Sequence, residues 1–265
     1  MRGFGLGEDR PPFATLRRLR HRRPYSLASR MRPLIGITTS LNRTEGDVLE
    51  QRLDLRYVHA LERAGGLPVL IPMLQSDEAT DELVRRLDGL VVSGGPAVLD
   101  GLVGDLPDDI APTEAQRVAS DRRVLGAFLD ARRPVLGICY GMQLASALGG
   151  GTIYADVERD AEAQTHSSGR GATTHPIELA EGSHFHQLVG QRRIDVNTRH
   201  VQAVERPGAD LVVSARALDG TIEALERADG TFLGLQFHPE AMNPPLDAVF
   251  TDLVTRAAAA RRQRL

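Results

Sequence analysis

The stretch that decides the fold is PVLGICYGMQLASALGGG, residues 134–151. Residues 135–138 are an apolar, strand-like run, Cys139 follows directly, and residues 142–148 have helical character. A strand, a sharp turn and a helix in this order form an elbow that presents a side chain at a helix N-terminus. There the helix dipole and free backbone N–H groups favour a thiolate. The sequence therefore offers Cys139, the only cysteine, as a nucleophile for acyl transfer, with a buried structural cysteine as the alternative.

A second apolar strand, FLGLQFHPE at residues 232–240, ends in His238 and Glu240. A cysteine nucleophile needs a base, and the base needs a third group that fixes its tautomer. Residues two apart on an extended chain point to the same side, and Pro239 restricts the backbone around His238. Because the C-terminal ends of parallel strands meet at one sheet edge, we expect Cys139, His238 and Glu240 to come together there.

Strand-like and helix-like segments alternate through the first half of the chain. Strands are predicted at residues 34–38, 68–71, 90–92 and 134–138, and helices at 49–64, 77–87 and 113–132. The second half is richer in strands, at residues 175–179, 193–197, 210–215, 221–225 and 232–237, before a helix at 246–262. This order predicts an α/β fold with a doubly wound, mainly parallel sheet, helices on both faces and a strand-rich second half.

The composition agrees with a globular enzyme, and the length supports one large α/β domain or two small ones. The chain has 265 residues, of which 42% are hydrophobic and 25% charged. We expect one domain over residues 31–265, preceded at 1–30 by a disordered basic extension; a transit-peptide-like leader or nucleic-acid arm is the alternative. Truncation to Met31 is expected to leave activity and stability unchanged.

Charge, hydropathy and cysteine content exclude several classes of protein. A net charge of −3 gives no reason to expect binding to nucleic acid. The sequence contains no apolar run of about 18 residues, so we expect no membrane span. A single cysteine excludes an internal disulfide, which fits a reducing compartment and predicts a cytoplasmic protein.

The pair GICYGMQ, residues 137–143, and QFHPE, residues 236–240, resembles the motifs of the class I glutamine amidotransferases. That superfamily carries a Cys-His-Glu triad on a doubly wound α/β fold. By this resemblance Cys139 is the nucleophile, His238 the general base and acid, and Glu240 the group that orients the histidine.

Four further stretches are similar to one branch of the superfamily, the γ-glutamyl-γ-aminobutyrate hydrolases of the peptidase C26 group. They are RPLIGITTS at 32–40, YVHALERAGGLPVLIP at 57–72, LDGLVVSGG at 87–95 and VNTRHVQAV at 196–204. The resemblance implies a hydrolase that cleaves a γ-glutamyl amide bond through a γ-glutamyl thioester and releases glutamate. It implies a small-molecule γ-glutamyl substrate and no cofactor.

The same resemblance assigns an oxyanion hole. Its donors are the backbone N–H of Gly94 or Gly95 and that of Tyr140, the residue after the nucleophile. Backbone donors aimed at the developing oxyanion stabilise its charge without reorganisation. On the residues alone, the segment Ser93-Gly94-Gly95-Pro96 is equally compatible with an ordinary turn after a strand.

Four residues are expected to line the substrate pocket: Gln143, Asn197, His200 and Gln202. Gln143 is equally interpreted as a helix residue that packs beside the elbow. The sequence departs from the hydrolase pattern at Val201, where relatives usually carry a second histidine, and at Tyr140, where they often carry an arginine. These departures leave the leaving amine of the substrate open.

Three other histidines, His175, His184 and His186, raise the question of a metal site. The spacing of His184 and His186 suits a metal, but no cysteine or compact acidic cluster accompanies them in the sequence. We therefore expect these histidines to lie in solvated loops and expect no bound metal.

Two other functions stay open. A glutaminase subunit with the same chemistry would pass ammonia to a partner synthetase; the chain has no P-loop with which to use ATP itself. A non-catalytic binding protein could be built on the same scaffold, because a fold does not guarantee an activity. The oligomeric state, including a homo-oligomer, is also open.

Overall fold

The structure is a computed structural model that describes residues 31–242 and 246–264; the extension predicted for residues 1–30 lies outside them. The strands are β1 (Leu34–Ile37), β2 (Ser40–Arg43), β3 (Leu49–Arg52), β4 (Leu67–Leu70), β5 (Gly89–Val92), β6 (Leu102–Val103), β7 (Val135–Ile138), β8 (Thr152–Tyr154), β9 (Thr174–Leu179), β10 (Arg193–Asn197), β11 (Ala203–Arg206), β12 (Val212–Ala217), β13 (Ile222–Glu226) and β14 (Phe232–Leu235). The helices are α1 (Leu55–Arg63), α2 (Asp77–Arg86), α3 (Ala115–Asp130), α4 (Tyr140–Leu148), α5 (Val157–Asp160), α6 (His184–Val189) and α7 (Asp247–Arg264).

In the described part of the chain, nine strands form the central sheet, in the order β10-β9-β12-β13-β14-β7-β5-β1-β4. Strands β14, β7, β5, β1 and β4 run parallel to one another. Strands β13, β12, β9 and β10, all from the second half of the chain, extend the sheet antiparallel. The predicted α/β fold, with a parallel core and a strand-rich second half, is confirmed.

Helices cover both faces of the sheet. Because side chains alternate along a strand, neighbouring residues of β5 enter different cores. Val91 packs with residues of α1 and α7 on one face, whereas Leu90 and Val92 pack with residues of α2, α3 and α4 on the other. All three side chains are fully buried. The continuous apolar run in β5 is therefore explained by burial on both faces.

The prediction of a helix over residues 49–64 is wrong at its N-terminal end. Leu49–Arg52 is strand β3, which pairs antiparallel with β2 and is exposed along its length. The helix begins at Leu55, after Asp54, whose carboxylate accepts a hydrogen bond from the N–H of Arg56. Such a cap fixes the start of a helix, and pairing with β2 determines that the segment before the helix is a strand.

The three histidines expected in solvated loops lie on regular elements instead. His175 is on β9 and only 11% of its side chain is exposed. His184 and His186 are on α6, which Ser183 caps through its hydroxyl.

Within residues 31–242 and 246–264, no helix has both the length and the hydropathy that crossing a membrane requires.

Candidate active site

Cys139 stands on the sharp turn between β7 and α4 that the sequence predicts. Its backbone has φ 49° and ψ −104°, a conformation that a non-glycine residue adopts only under constraint. The N–H of Cys139 donates to the carbonyl of Leu235 on β14 at 2.7 Å, which ties the turn to the next strand. The constraint is therefore imposed by the sheet, and it places the thiol at the N-terminus of α4.

The glycines on either side of Cys139 let the elbow close. A Cβ on Gly137 would lie 2.9 Å from the backbone of Gly141, and a Cβ on Gly141 would lie 2.4 Å from the carbonyl oxygen of Val92. Both distances are too short for a real side chain. Glycine at these positions allows α4 to press against β5 and β7.

His238 and Glu240 follow β14, the strand that pairs with β7 in parallel. Leu235 lies opposite Ile138 in this register, so the segments that follow β7 and β14 leave the sheet at the same edge. The Nδ1 of His238 lies 2.7 Å from Oε1 of Glu240. Because a carboxylate only accepts, Nδ1 carries the proton in this bond and Nε2 is left for the thiol.

The pKa of His238 is strongly perturbed. Burial by itself lowers it, but hydrogen bonding to the Cys139 sulfur and to the Glu240 carboxylate outweighs burial and raises the pKa from 6.5 to about 10. The ring therefore holds a proton at neutral pH. A positively charged imidazole beside the sulfur is the partner that a thiolate nucleophile requires.

The segment after β5 lies directly against the histidine. The N–H of Gly94 donates to the hydroxyl of Tyr57 at 3.1 Å, so this donor is already engaged. A Cβ at Gly94 would lie 2.6 Å from Cε1 of His238, which explains the glycine. Of the two glycines predicted as alternatives, Gly95 is therefore the better candidate, and the oxyanion hole formed by Gly95 and Tyr140 stays a prediction.

A fully buried arginine, which sequence reasoning missed, supports this segment. Arg117 on α3 is paired with Asp121 at 3.1 Å, and its guanidinium donates to the carbonyl oxygens of Ser93 at 3.1 Å and Gly94 at 3.0 Å. Its Cζ also lies 4.5 Å from the centre of the Tyr140 ring. In sequence, an arginine and an aspartate four apart on a helix are typical of a solvated surface pair.

The cavity beside Cys139 has a volume of about 310 Å³. Among the predicted pocket residues, Gln143, His200 and Gln202 line it. Arg199, which the sequence analysis did not single out, lines it too and is exposed. It places a positive charge at the mouth of the site.

The polar groups of Gln143 and Gln202 are engaged within the protein. Gln202 pairs through both side-chain atoms with the backbone of Val98, at 2.8 and 2.9 Å. Gln143 donates to the carbonyl of Gln202 at 3.0 Å and to Oε1 of Gln236 at 3.2 Å. These side chains brace the wall of the cavity, and their contact with substrate stays a prediction.

Asn197 does not line the cavity that contains Cys139. Its amide instead holds the main chain of His238: Nδ2 donates to the carbonyl at 2.8 Å and Oδ1 accepts from the N–H at 2.9 Å. Asn197 therefore positions the main chain of His238, and the contact with substrate expected of it stays a prediction. The imidazole of His200 is also turned inward, with Nδ1 3.1 Å from the Gln202 carbonyl and Nε2 3.3 Å from Glu223.

Gln236 is a second residue that sequence reasoning missed. Its Nε2 donates to the sulfur of Cys139 at 3.5 Å, and its side chain is fully buried. The signal was available in QFHPE, because residues two apart in an extended segment point to the same side, which makes residue 236 a neighbour of His238. In the structure β14 ends at Leu235 and Pro239–Ala241 is a 3-10 helix, so the extended pattern does not continue to Glu240. A neutral donor at this place stabilises negative charge on the sulfur.

The chain matches proteins of one known family along most of its length. The model of the family described as peptidase C26 matches residues 33–240. The chain is 33% identical over 216 residues to a candidate glutamine amidotransferase of Mycobacterium tuberculosis, covering 79% of this chain and 70% of that protein. It is 29% identical over 222 residues to the γ-glutamyl-γ-aminobutyrate hydrolase of Escherichia coli, covering 78% of this chain and 85% of that protein.

Two solved structures share the fold. A candidate GMP synthase component from Thermoplasma acidophilum superposes with a TM-score of 0.61 at 18% identity, over 88% of this chain and 98% of that one. The glutaminase domain of Trypanosoma brucei CTPS, with acivicin bound, superposes with a TM-score of 0.57 at 18% identity, over 86% and 94%. The doubly wound α/β architecture is therefore that of the glutamine amidotransferase-like proteins.

Proposed function

The chain belongs to the peptidase C26 family, a group of glutamine amidotransferase-like proteins, and from that premise we propose that it hydrolyses a γ-glutamyl amide bond in a small molecule. The observation that carries the proposal is the meeting of Cys139, His238 and Glu240 at the shared edge of β7 and β14. The nucleophile, the base and the orienting group are then in the order that acyl transfer requires.

In the first half of the reaction, the sulfur of Cys139 attacks the γ-carbonyl carbon. Negative charge moves to the carbonyl oxygen, where the N–H groups of Gly95 and Tyr140 stabilise it. The C–N bond then breaks, and Nε2 of His238 gives its proton to the departing amine. The products of this half are the free amine and a γ-glutamyl thioester on Cys139.

In the second half, water enters as the amine leaves. His238, now neutral, takes a proton from water, and the resulting hydroxide attacks the thioester carbon. The C–S bond breaks, glutamate is released, and the sulfur and the imidazolium return to their starting state. Glu240 stays ionised throughout and stabilises the charged ring of His238.

The cavity supports a small anionic substrate. About 310 Å³ suits a dipeptide-sized ligand rather than a folded protein. Arg199 at its wall offers a guanidinium that can bind a carboxylate in a bidentate manner. A γ-glutamyl group carries one carboxylate, and an amino-acid leaving group such as γ-aminobutyrate carries a second.

The test is a panel of γ-glutamyl amides, with glutamine included, assayed for released glutamate. We expect turnover of at least one γ-glutamyl conjugate by the protein alone. We expect none by a Cys139→Ala variant whose circular dichroism spectrum matches that of the native protein. Failure of every panel member with the native protein, or turnover by the alanine variant, would contradict the proposal.

A glutaminase subunit that delivers ammonia to a synthetase is the second candidate, favoured by the likeness to the amidotransferase candidate of Mycobacterium tuberculosis. It predicts hydrolysis of glutamine that depends on an added partner protein. Turnover of γ-glutamyl conjugates without a partner argues against it. A non-catalytic binding protein predicts no turnover and slow alkylation of Cys139 at neutral pH, because a thiol reacts more slowly than a thiolate.

A further inference from the structure

A cluster of buried titratable side chains lies behind the cavity and takes no part in the chemistry of Cys139. We call it the histidine cluster; it consists of His166, His175, His200, Glu223 and Asp219. Glu223 is fully buried, and His166 and His200 are 1% and 4% exposed. These residues come from β9, β13 and three loops, so only the tertiary fold brings them together.

Three ring nitrogens surround one carboxylate oxygen in the histidine cluster. Oε1 of Glu223 lies 3.4 Å from Nδ1 of His166, 3.1 Å from Nε2 of His175 and 3.3 Å from Nε2 of His200. None of these atoms, nor Oε2 of Glu223, has a hydrogen-bond partner. Buried polar atoms that approach this closely without hydrogen-bond geometry call for an ion or a water between them.

The positions of the ring protons in His166 and His200 strengthen the case for an ion beside Glu223. Nε2 of His166 lies 2.8 Å from the Asp219 carboxylate, so it carries the proton and leaves a lone pair on Nδ1. Nδ1 of His200 faces the carbonyl of Gln202, so Nε2 there also bears the lone pair. In these tautomers the rings turn lone pairs toward a buried carboxylate, which is unfavourable unless a proton or a metal ion supplies positive charge between them.

We propose that His166, His175 and Glu223 form a binding site for a divalent transition-metal ion, with zinc as the best match. Their ligand atoms all lie within 4.8 Å of one another. Imidazole nitrogen and carboxylate oxygen are zinc ligands, and ligands about 2.1 Å from a tetrahedral ion lie about 3.4 Å apart. The contacts of Glu223 at 3.4 and 3.1 Å fall close to that separation.

Asp219 supplies the supporting contact that metal-binding histidines usually have. A carboxylate on the far nitrogen fixes the tautomer of the ligand ring and raises its basicity. The same oxygen of Asp219 accepts from the N–H of Gln164 at 3.0 Å, and Oδ1 accepts from the N–H of Thr221 at 3.0 Å. The orientation of His166 is therefore fixed before any ion arrives.

An ion at this place would join β9 and β13 to the loop that carries His166. The carbonyl of His166 accepts from the N–H of His200, at 3.0 Å, and from the hydroxyl of Thr198. His200 in turn belongs to the wall of the substrate cavity. The ion is thus expected to stabilise the fold and that wall without touching the reacting atoms.

The experiment uses the full chain carrying Cys139→Ala, so that zinc cannot bind the active-site sulfur. The protein is stripped with a chelator, incubated with zinc, desalted and analysed for metal. We expect about one zinc per chain, the stoichiometry of a single mononuclear site. We also expect Tm to rise by roughly 5 °C or more at zinc concentrations about 100 times Kd.

In the same background, His175→Gln and Glu223→Gln are expected to lose zinc binding. Asp219→Asn, which keeps all three ligands, is expected to weaken it by about 10- to 100-fold. His59→Gln, at an exposed position on α1, is the matched control and is expected to bind like its parent. If a ligand variant fails to fold, the zinc affinity of the Asp219→Asn variant is the deciding measurement.

No zinc uptake by the stripped parent would overturn the proposal and would mean that protons occupy the histidine cluster. Zinc affinity unchanged in Asp219→Asn and in the folded ligand variants would overturn it as well, because the ion would then bind elsewhere.

Discussion

The side-chain amide of Asn197 holds both main-chain polar groups of His238, at 2.8 and 2.9 Å. The contact joins the end of β10 to the segment after β14, although 41 residues separate the two in sequence. Because it acts on the backbone of His238, it fixes where the imidazole stands relative to Cys139. From the sequence alone, Asn197 is expected to be a substrate ligand.

Asn197→Ala is expected to lower kcat by about 10- to 100-fold while KM changes little, because a base displaced by about an ångström loses that much rate. Steady-state assays of glutamate release measure both constants. Gln187→Ala, an exposed amide on α6, is the control. A rise in KM at constant kcat would instead mean that Asn197 binds substrate.

The pH dependence of activity should reflect the ionisation of His238. Its pKa of about 10 means that the proton needed by the leaving amine is lost only as pH rises towards 10, so activity falls on that alkaline side. Glu240→Gln removes a carboxylate that raises this pKa, so the alkaline limb should move to lower pH. An unmoved limb would exclude Glu240 as a cause of the shift.

The same pKa affects stability. The folded-state pKa lies above the usual 6.5, so the charged ring stabilises the fold fully below about 6.5, and this stabilisation is lost as pH rises to about 10. Between pH 7 and 10, the free energy of unfolding of the native protein should therefore fall more than that of His238→Gln. Equal slopes in urea-unfolding experiments would contradict this.

Gly94→Ala is expected to reduce activity by about 100-fold or more, because its Cβ would lie 2.6 Å from Cε1 of His238 and displace the ring. Gly126→Ala on α3 is the matched control, since a Cβ there meets nothing within 4 Å. The control should keep full activity and gain about 0.5–1 kcal/mol of stability. Full activity of Gly94→Ala would disprove the close approach.

Arg117→Met is expected to cost about 3–5 kcal/mol of unfolding free energy, because it leaves the buried carboxylate of Asp121 without its partner. Burial raises the pKa of Asp121 to about 6 even with Arg117 beside it. Arg122→Met on the same helix removes an exposed pair with Asp100 and should change stability by less than about 0.5 kcal/mol. Urea denaturation compares the two variants, and similar losses would contradict the account.

The core of the site was readable from sequence because it depends on local signals and one rule of topology. Residues 135–138 and 232–235 are uninterrupted apolar runs, as strands buried on both faces must be. Once they are parallel neighbours, Cys139 and His238 leave the sheet at one edge. Only the pairing itself, which joins distant parts of the chain, had to come from the structure.

The supporting residues could not be read in this way. Arg117 contacts Ser93 across 24 residues, and His166 approaches Asp219 across 53, so neither contact leaves a periodic pattern. The hairpin of β2 and β3 was missed for a related reason: its residues 49–52 are exposed and carry no alternating apolar signal. Pairing with a partner strand decided that segment against its local helical spacing.

The most direct test of the central claim is the mass of the protein during turnover. A reaction with a γ-glutamyl amide is quenched in acid, digested and analysed by mass spectrometry. Because the sulfur of Cys139 is proposed to carry the acyl group, one γ-glutamyl group should appear on the peptide that contains Cys139 and be absent from Cys139→Ser. Continued release of glutamate by a Cys139→Ala variant, with no acylated peptide in the native protein, would contradict the account.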